Sequence, residues 1–351
     1  MGSKIIGSGS FIPNQIVKNT DFREHKFFNE EGEYLENQES VIEKFKSITG
    51  IEERRYAEDS YMASDLATEA AIRAIEDSKI DSETLDYIIV GHNYGDVPYG
   101  TVQSDTVPSL ASRVKGKLGI QNPYCVAYDL LFGCPGWNEG MIQAHAFIQS
   151  GIAKRCLVIG AETLSRVIDP HDRDSMIYAD GAGAVVVEAS NDGDGFLNSL
   201  SATYTLKELG YLNFGPTYNK DLSEDTRYIK MKGRKIYEFA LSKVPEAMKA
   251  CLDKAKIDIS EVKKVIIHQA NEKMDMAILQ RFYKLYDMLP PESIMPMTIH
   301  NFGNSSVATI PTLFDLLVKG KIEGHQIQKG DVVLFASVGA GMNVNAIAYK
   351  I

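Results

Sequence analysis

The chain has 351 residues, 44% of them hydrophobic and 24% charged, and a formal net charge of −10. That length exceeds one ordinary core, so two domains or one duplicated unit are expected. The acidic balance argues against general nucleic-acid binding, and no run of about 18 apolar residues is available to span a membrane.

The first apolar stretch, Lys4 to Ile12, reads as a strand interrupted by Gly7 and Gly9. Its G-x-G lacks a third glycine and a following helix, so it is not a dinucleotide fingerprint. Residues 27–39 turn polar and acidic and read as a surface excursion, and residues 48–55 read as a turn. Ser64 is expected to cap a helix carrying Leu66, Ala67, Ala70, Ala71, Ala74 and Ile75 on one face. Leu85 to Val90 is a nearly continuous apolar strand, as in a sheet covered on both faces. A loop over 91–107 precedes a helix from Val107 to Leu118, then a strand from Tyr124 to Tyr128.

Asp129 to Gly140 leads from that strand into a helix in which Met141, Ala144 and Ile148 recur at helical spacing. Cys134 therefore sits at a helix start, where unpaired amides and the macrodipole favour a thiolate. Helix N-termini can bring a thiol from about 8.5 into the range of roughly 3.5–7.5. Cys125, Cys156 and Cys251 are the other cysteines, and no C-x-x-C pair occurs. The pattern fits reduced thiols in a cytoplasmic protein better than a disulfide framework or a zinc site. The N-terminal residues contain no signal-peptide apolar region.

Strands are expected at 156–160 and 184–187, with Asp180 to Gly183 as a tight turn between them. After a polar join near Ser190–Gly195 a similar order restarts. Helices are expected over 237–256, 273–286 and 304–319, and strands over 265–267, 332–336 and 345–349. The two halves, residues 1–192 and 193–351, suggest a duplicated layered α/β fold. Three further stretches carry candidate chemistry. His268-Gln269-Ala270-Asn271 follows an apolar strand, where open sheets bind ligands. Asn304, after Gly303, is either a fixed donor or a helix cap. Gly339-Ala340-Gly341 follows another strand and offers backbone amides or a plain turn.

Taken together, Gly133-Cys134-Pro135-Gly136, Asp180-Gly181-Ala182-Gly183, His268-Gln269-Ala270-Asn271, Gly303-Asn304-Ser305-Ser306 and Gly339-Ala340-Gly341 resemble the beta-ketoacyl-ACP synthase III family of the thiolase superfamily. The resemblance implies a duplicated five-layered αβαβα fold and no metal or redox cofactor. It implies acyl transfer to Cys134, then decarboxylative Claisen condensation with a malonyl or beta-ketoacyl carrier thioester. His268 and Asn304 would stabilise the enolate, and the amides of Cys134 and Gly341 would form the oxyanion hole. Arg173, Asn271 and Lys273 are the implied contacts to an acyl carrier protein or acyl-CoA. A homodimer is implied too, with the loop before the cysteine helix reaching the partner's pocket.

The departures are specific. Lys44 and Ile48 stand where the family has the Trp and first Arg that hold the CoA adenine, and Glu238 where a docking Lys is common. Lys230, Lys232, Arg234, Lys235, Lys263 and Lys264 are expected to offer an acidic carrier a positive patch. Pro135 and Trp137 beside the nucleophile are expected to reshape the acyl pocket. These features make carrier-bound donors the expected preference, as in specialised ketosynthases of pigment lipids or dialkylresorcinols, which this variant also resembles. A biosynthetic thiolase would need a second cysteine near Gly339–Gly341, and a hydroxymethylglutaryl synthase-like enzyme a Glu base before Cys134; neither is found. Chalcone-synthase-like enzymes share Cys–His–Asn but not the surrounding wording. A non-catalytic acyl-carrier-binding subunit would lack the nucleophile.

Overall fold

The computed structural model describes residues 2–222 and 225–351. The chain opens with β1 (Gly2–Phe11), then β2 (Gln15–Lys18), α1 (Gln38–Thr49), β3 (Glu53–Tyr56) and α2 (Ala63–Ser78). β4 (Tyr87–Gly91), α3 (Leu110–Lys117), β5 (Val126–Leu130), α4 (Gly136–Gln149), β6 (Arg155–Thr163) and β7 (Asp180–Ser190) complete the first half. The second half holds β8 (Gly195–Thr203), β9 (Leu212–Pro216), β10 (Arg227–Met231), α5 (Gly233–Ala255) and β11 (Val262–Ile267). It ends with α6 (Glu272–Lys284), α7 (Ile299–Phe302), α8 (Thr309–Val318), β12 (Val332–Gly339) and β13 (Asn343–Lys350).

The duplication is legible in the sheets. The first runs β1-β7-β6-β4-β5 and the second β8-β13-β12-β11. In each, the first two pairings are antiparallel and the next is parallel. The fifth strand of the first sheet, β5, has no counterpart in the second. Three buried clusters define five layers. α2 and α3 cover the outer face of the first sheet. α5 and α6 cover the outer face of the second. Between the sheets α4 and α8 pack together, through Trp137, Met141, Ile148, Ile310, Leu313 and Phe314. The αβαβα arrangement follows because each sheet is apolar on both faces, so both must be covered.

Several sequence expectations need correcting. Asp180–Gly183 is not a turn but the start of β7. Its glycines serve close packing: a Cβ at Gly183 would meet Pro311 Cβ at 2.7 Å, so α8 lies directly on the strand. The single helix expected over 304–319 is broken; Asn304 lies in a turn between α7 and α8. Ser64 does not cap α2 but sits inside its first turn, where its amide and hydroxyl bond Asp96 at 2.7 and 2.8 Å. α3 starts at Leu110 rather than Val107, because the Asp129 carboxylate accepts the Leu110 and Ala111 amides. Residues 48–55 are the end of α1 and most of β3, not a turn. α1 buries Ile42, Phe45 and Thr49, and Asn37 accepts the Ser40 amide at its start.

Candidate active site

The turn that carries Cys134 is built by contacts between the two halves. Gly133 has φ +66°, and a Cβ there would meet Ala340 N and O at 2.7 Å, so the Gly339–Gly341 loop lies against it. A Cβ at Gly339 would likewise meet Cys134 N at 2.4 Å. Asn345, from β13, donates to the Pro135 carbonyl and accepts from Asn138 of α4, both at 3.0 Å. Asn343 donates to the carbonyls of Ala340 and Phe132 at 2.9 and 3.3 Å. Thus second-half asparagines hold the first-half cysteine at the start of α4.

His268 lies just beyond β11 and its amide donates to Ala336 O of β12 at 3.0 Å. Its side chain is buried, and burial pushes its pKa down to about 4, with the Ser306 backbone acting weakly in the other direction. The imidazole is therefore neutral at physiological pH and able to donate one N–H. The next residue, Gln269, fixes the following turn: it donates to Pro296 O at 2.7 Å and accepts the Thr298 amide at 2.9 Å.

Asn304 is held by a short bridge to Tyr178, its amide donating to Ile177 O at 2.9 Å and its carbonyl accepting from Ala179 N at 2.8 Å. Its side-chain oxygen accepts the Ser306 amide at 2.8 Å. That bond fixes the amide's orientation, leaving its NH2 group as a donor toward the cavity.

Cys134, His268, Asn304 and Ser306 line one cavity of about 250 Å³, together with Asn93, Tyr94 and Ala340. Its other walls are mostly apolar, with Leu164, Leu212, Phe214, Ile229, Met231 and Val338 beside Tyr178 and Asn213. β9 and β10, absent from the sequence reading, supply four of those six apolar residues. A second cavity of about 520 Å³ shares Asn304, Ala270 and Met274 with the first. Lys44, Ile48, Arg173, Arg234 and Asn271 line it. The arrangement is an approach channel, then a polar junction, then an apolar chamber.

The structure therefore brings together Cys134, His268 and Asn304, and sets Arg173 and Asn271 along the approach. Asn271 also caps α6, accepting the Met274 amide at 3.0 Å. Lys273 is exposed on α6 and is not part of the channel wall. Ala340 lines the chamber, whereas Gly341 stands beside Asn343.

Three expectations fail here. Burial raises the Cys134 thiol to about 11, against the opposing effect of Ser306, rather than lowering it, because the desolvation cost of a thiolate is the larger effect. Trp137 does not shape the acyl cavity: it is 1% exposed and packs edge-on against Phe335 in the central layer. Lys230 and Lys264 are not part of a surface patch. Lys230 is buried between Asp169 and Asp172, at 2.5 and 3.1 Å, and Lys264 is 5% exposed.

Glu162, like its neighbours Asn93 and Tyr94, belongs to no sequence motif. Glu162 lies near the end of β6, on the same face as Val158 and Gly160, 2% exposed, with Asn93 donating to its carboxyl. The signal was the alternation itself, which aims residues 158, 160 and 162 at the central layer.

A cysteine at a helix start, a buried histidine and a fixed amide meet at the junction of a duplicated αβαβα fold, that of a thiolase-fold condensing enzyme, an acyltransferase. The family model for 3-oxoacyl-[acyl-carrier-protein (ACP)] synthase III matches residues 128–204, and that for its C-terminal part matches residues 252–351. Beta-ketoacyl-[acyl-carrier-protein] synthase III 1 of Bacillus cereus is 32% identical across 100% of this chain and 99% of its own length. The synthase III of Geobacillus kaustophilus is 33% identical over the same shares. The crystal structure of 3-oxoacyl-[acyl-carrier-protein] synthase III from Aquifex aeolicus covers 100% of both chains at 29% identity, with a TM-score of 0.80. The OleA structure from Xanthomonas campestris, at 19% identity and a TM-score of 0.78 over 100% of this chain and 98% of its own, shares the fold. The chain belongs to the beta-ketoacyl-ACP synthase III family.

Proposed function

We propose that Cys134 accepts an acyl group as a thioester and that the acyl-enzyme then condenses with a malonyl thioester delivered by an acyl carrier protein. The observation that carries this reading is the convergence of Cys134, His268 and Asn304 on one cavity, between a channel and an apolar chamber. The chamber suits the acyl chain and the channel a phosphopantetheine arm. Loss of carbon dioxide leaves an enolate whose oxygen needs fixed donors, and the His268 N–H and the Asn304 NH2 group are such donors. The amides of Cys134 and of the Gly339–Gly341 loop are the natural oxyanion donors for acyl transfer, with Ala340 on the chamber side of that loop.

Arg173 and Asn271 line the route a donor would take, and Lys232, Arg234, Lys235 and Lys273 are exposed positive charges for an acidic carrier. A homodimer is supported by the free edge of β5, flanked by the exposed Tyr124 and Leu131. No helix among the described residues is long and apolar enough to cross a membrane, and a cytoplasmic location fits the free cysteines.

Weighing the intact protein after incubation with a panel of acyl-CoA and acyl-carrier donors tests the reading. One acyl mass should appear on the wild type and none on Cys134→Ala. An acyl mass that persists on the variant would refute it.

A further inference from the structure

Behind the nucleophile lies a small polar cluster that the two half-reactions above leave unused. Ser306 is its hub. Its hydroxyl stands beside both the Cys134 thiol and the Glu162 carboxyl and acts to lower the pKa of each. Asn93 donates to both the Ser306 hydroxyl, at 3.0 Å, and Glu162. Ser306 holds φ +52°, the left-handed region that a serine seldom occupies. The conformation is maintained by the bond from its amide to Asn304 and by the packing of Val307 and Ala308 on Gly160. Glu162 reaches the cluster because β6 alternates: Gly160 admits the backbone of Val307, and two residues on, the same face presents a carboxyl.

We propose that Glu162 is the proton acceptor for Cys134 during acyl loading, acting through the Ser306 hydroxyl. This rests on the assignment of Cys134 as the acyl acceptor. In loading, the S–H proton passes to Ser306 Oγ while the Ser306 proton passes to the Glu162 carboxylate. The sulfur electron pair forms the bond to the acyl carbonyl, and the departing pantetheine thiolate takes a proton from water. Glu162 is then neutral, so no negative charge faces the malonyl carboxylate or the enolate from this side. When condensation expels Cys134 as a thiolate, the proton returns by the same two hops and restores the carboxylate. Across the cycle one proton is drawn from water, matching the one that decarboxylative condensation consumes.

The electrostatics agree with that role. Burial raises the Glu162 carboxyl to about 8, with Asp180 adding to the rise and Asn93 and Ser306 opposing it. The titratable groups that act with it in the site are Cys134, Tyr94 and Asp180. A base is most effective when its pKa lies near the working pH. Burial leaves the thiol high, so a nearby acceptor is needed to take its proton.

Glu162 touches no substrate and is a positioning, proton-accepting residue, so the test must separate proton transfer from shape. Rates of acyl loading at Cys134 are measured by intact mass against pH for wild type, E162Q, E162D and S306A. The wild-type rate should rise and level off above about pH 8, following Glu162. E162Q keeps the hydrogen-bonding shape but should lose the levelling and load at least roughly tenfold more slowly at neutral pH, the low end of general-base effects. E162D should keep the levelling. S306A should match E162Q, and the double variant should be no slower than either. Loading by E162Q or, should E162Q not fold, by S306A at the wild-type rate and with the wild-type pH profile would overturn the relay while leaving acyl transfer intact. An absence of any acyl mass on wild type would instead refute Cys134 as acceptor. Alkylation by iodoacetamide then still reads the Glu162 inflection, and its persistence in E162Q would overturn the relay too.

Discussion

Gly160→Ala is the most direct test of how the fold sets the site. Gly160 lies in the middle of β6, paired with Gly91 on one side and Gly183 on the other, so the strand itself has no room to retreat. A Cβ there would lie 2.3 Å from the Val307 carbonyl oxygen, against an ordinary contact of at least 3.4 Å. The shortfall is about 1.1 Å, and the turn carrying Asn304 and Ser306 must absorb it. Overpacking of this kind costs about 1–3 kcal/mol of stability, leaving the protein folded. A misplacement of about 1 Å in a catalytic group can cost ~10²-fold in rate, equivalent to about 2.7 kcal/mol in the barrier. Malonyl-thioester decarboxylation, read by carbon dioxide release, should therefore fall about a hundredfold, whereas iodoacetamide labelling of Cys134 should change only a few-fold. Wild-type decarboxylation in a folded Gly160→Ala protein would refute the claim that Gly160 sets the position of the Asn304 turn.

The other predictions concern separate links of the argument. His268→Ala and Asn304→Ala should still load an acyl group yet lose decarboxylation by ~10²–10³-fold, the usual cost of one missing oxyanion donor; lost loading with intact decarboxylation would reverse their roles. Because His268 is pushed down to about 4, it is neutral above that value and gains charge only as pH falls through it. His268 should thus add no inflection to the decarboxylation profile between about pH 5.5 and 8, and one near 6.5 would contradict the burial argument. Lys230→Ala leaves the buried Asp169 and Asp172 without their shared cation. About 3–5 kcal/mol of stability should be lost in thermal unfolding, and an unchanged melting temperature would show the triad is not needed. With Lys44 and Ile48 in the channel instead of aromatic and guanidinium partners, an adenine loses roughly 0.5–2 kcal/mol of cation–π contact. Medium-chain acyl carrier protein should then load faster than acetyl-CoA at equal concentration, and the reverse order would count against this reading of the channel.

Local composition and spacing were enough to find the separate elements. Apolar runs marked the central strands, because a strand covered on both faces has no polar side to show. The motif order singled out Cys134 and His268, which follow strands β5 and β11, and Asn304, which follows the short helix α7. Features that depend on a partner distant in sequence emerge only on folding. Asp180–Gly183 has the composition of a turn, yet it is a strand because α8 lies on it, and only glycine admits that approach. Lys230 looks like a surface charge until Asp169 and Asp172, some sixty residues away, close around it. The Cys134 thiol reads as acidified from its helix start, but its protonation is governed by burial in a cavity that both halves build. Glu162 is one polar residue at the end of an apolar strand in the sequence; it gains a chemical context only when Asn93 and Ser306 are brought to it, because local propensity carries no information about which strand ends converge.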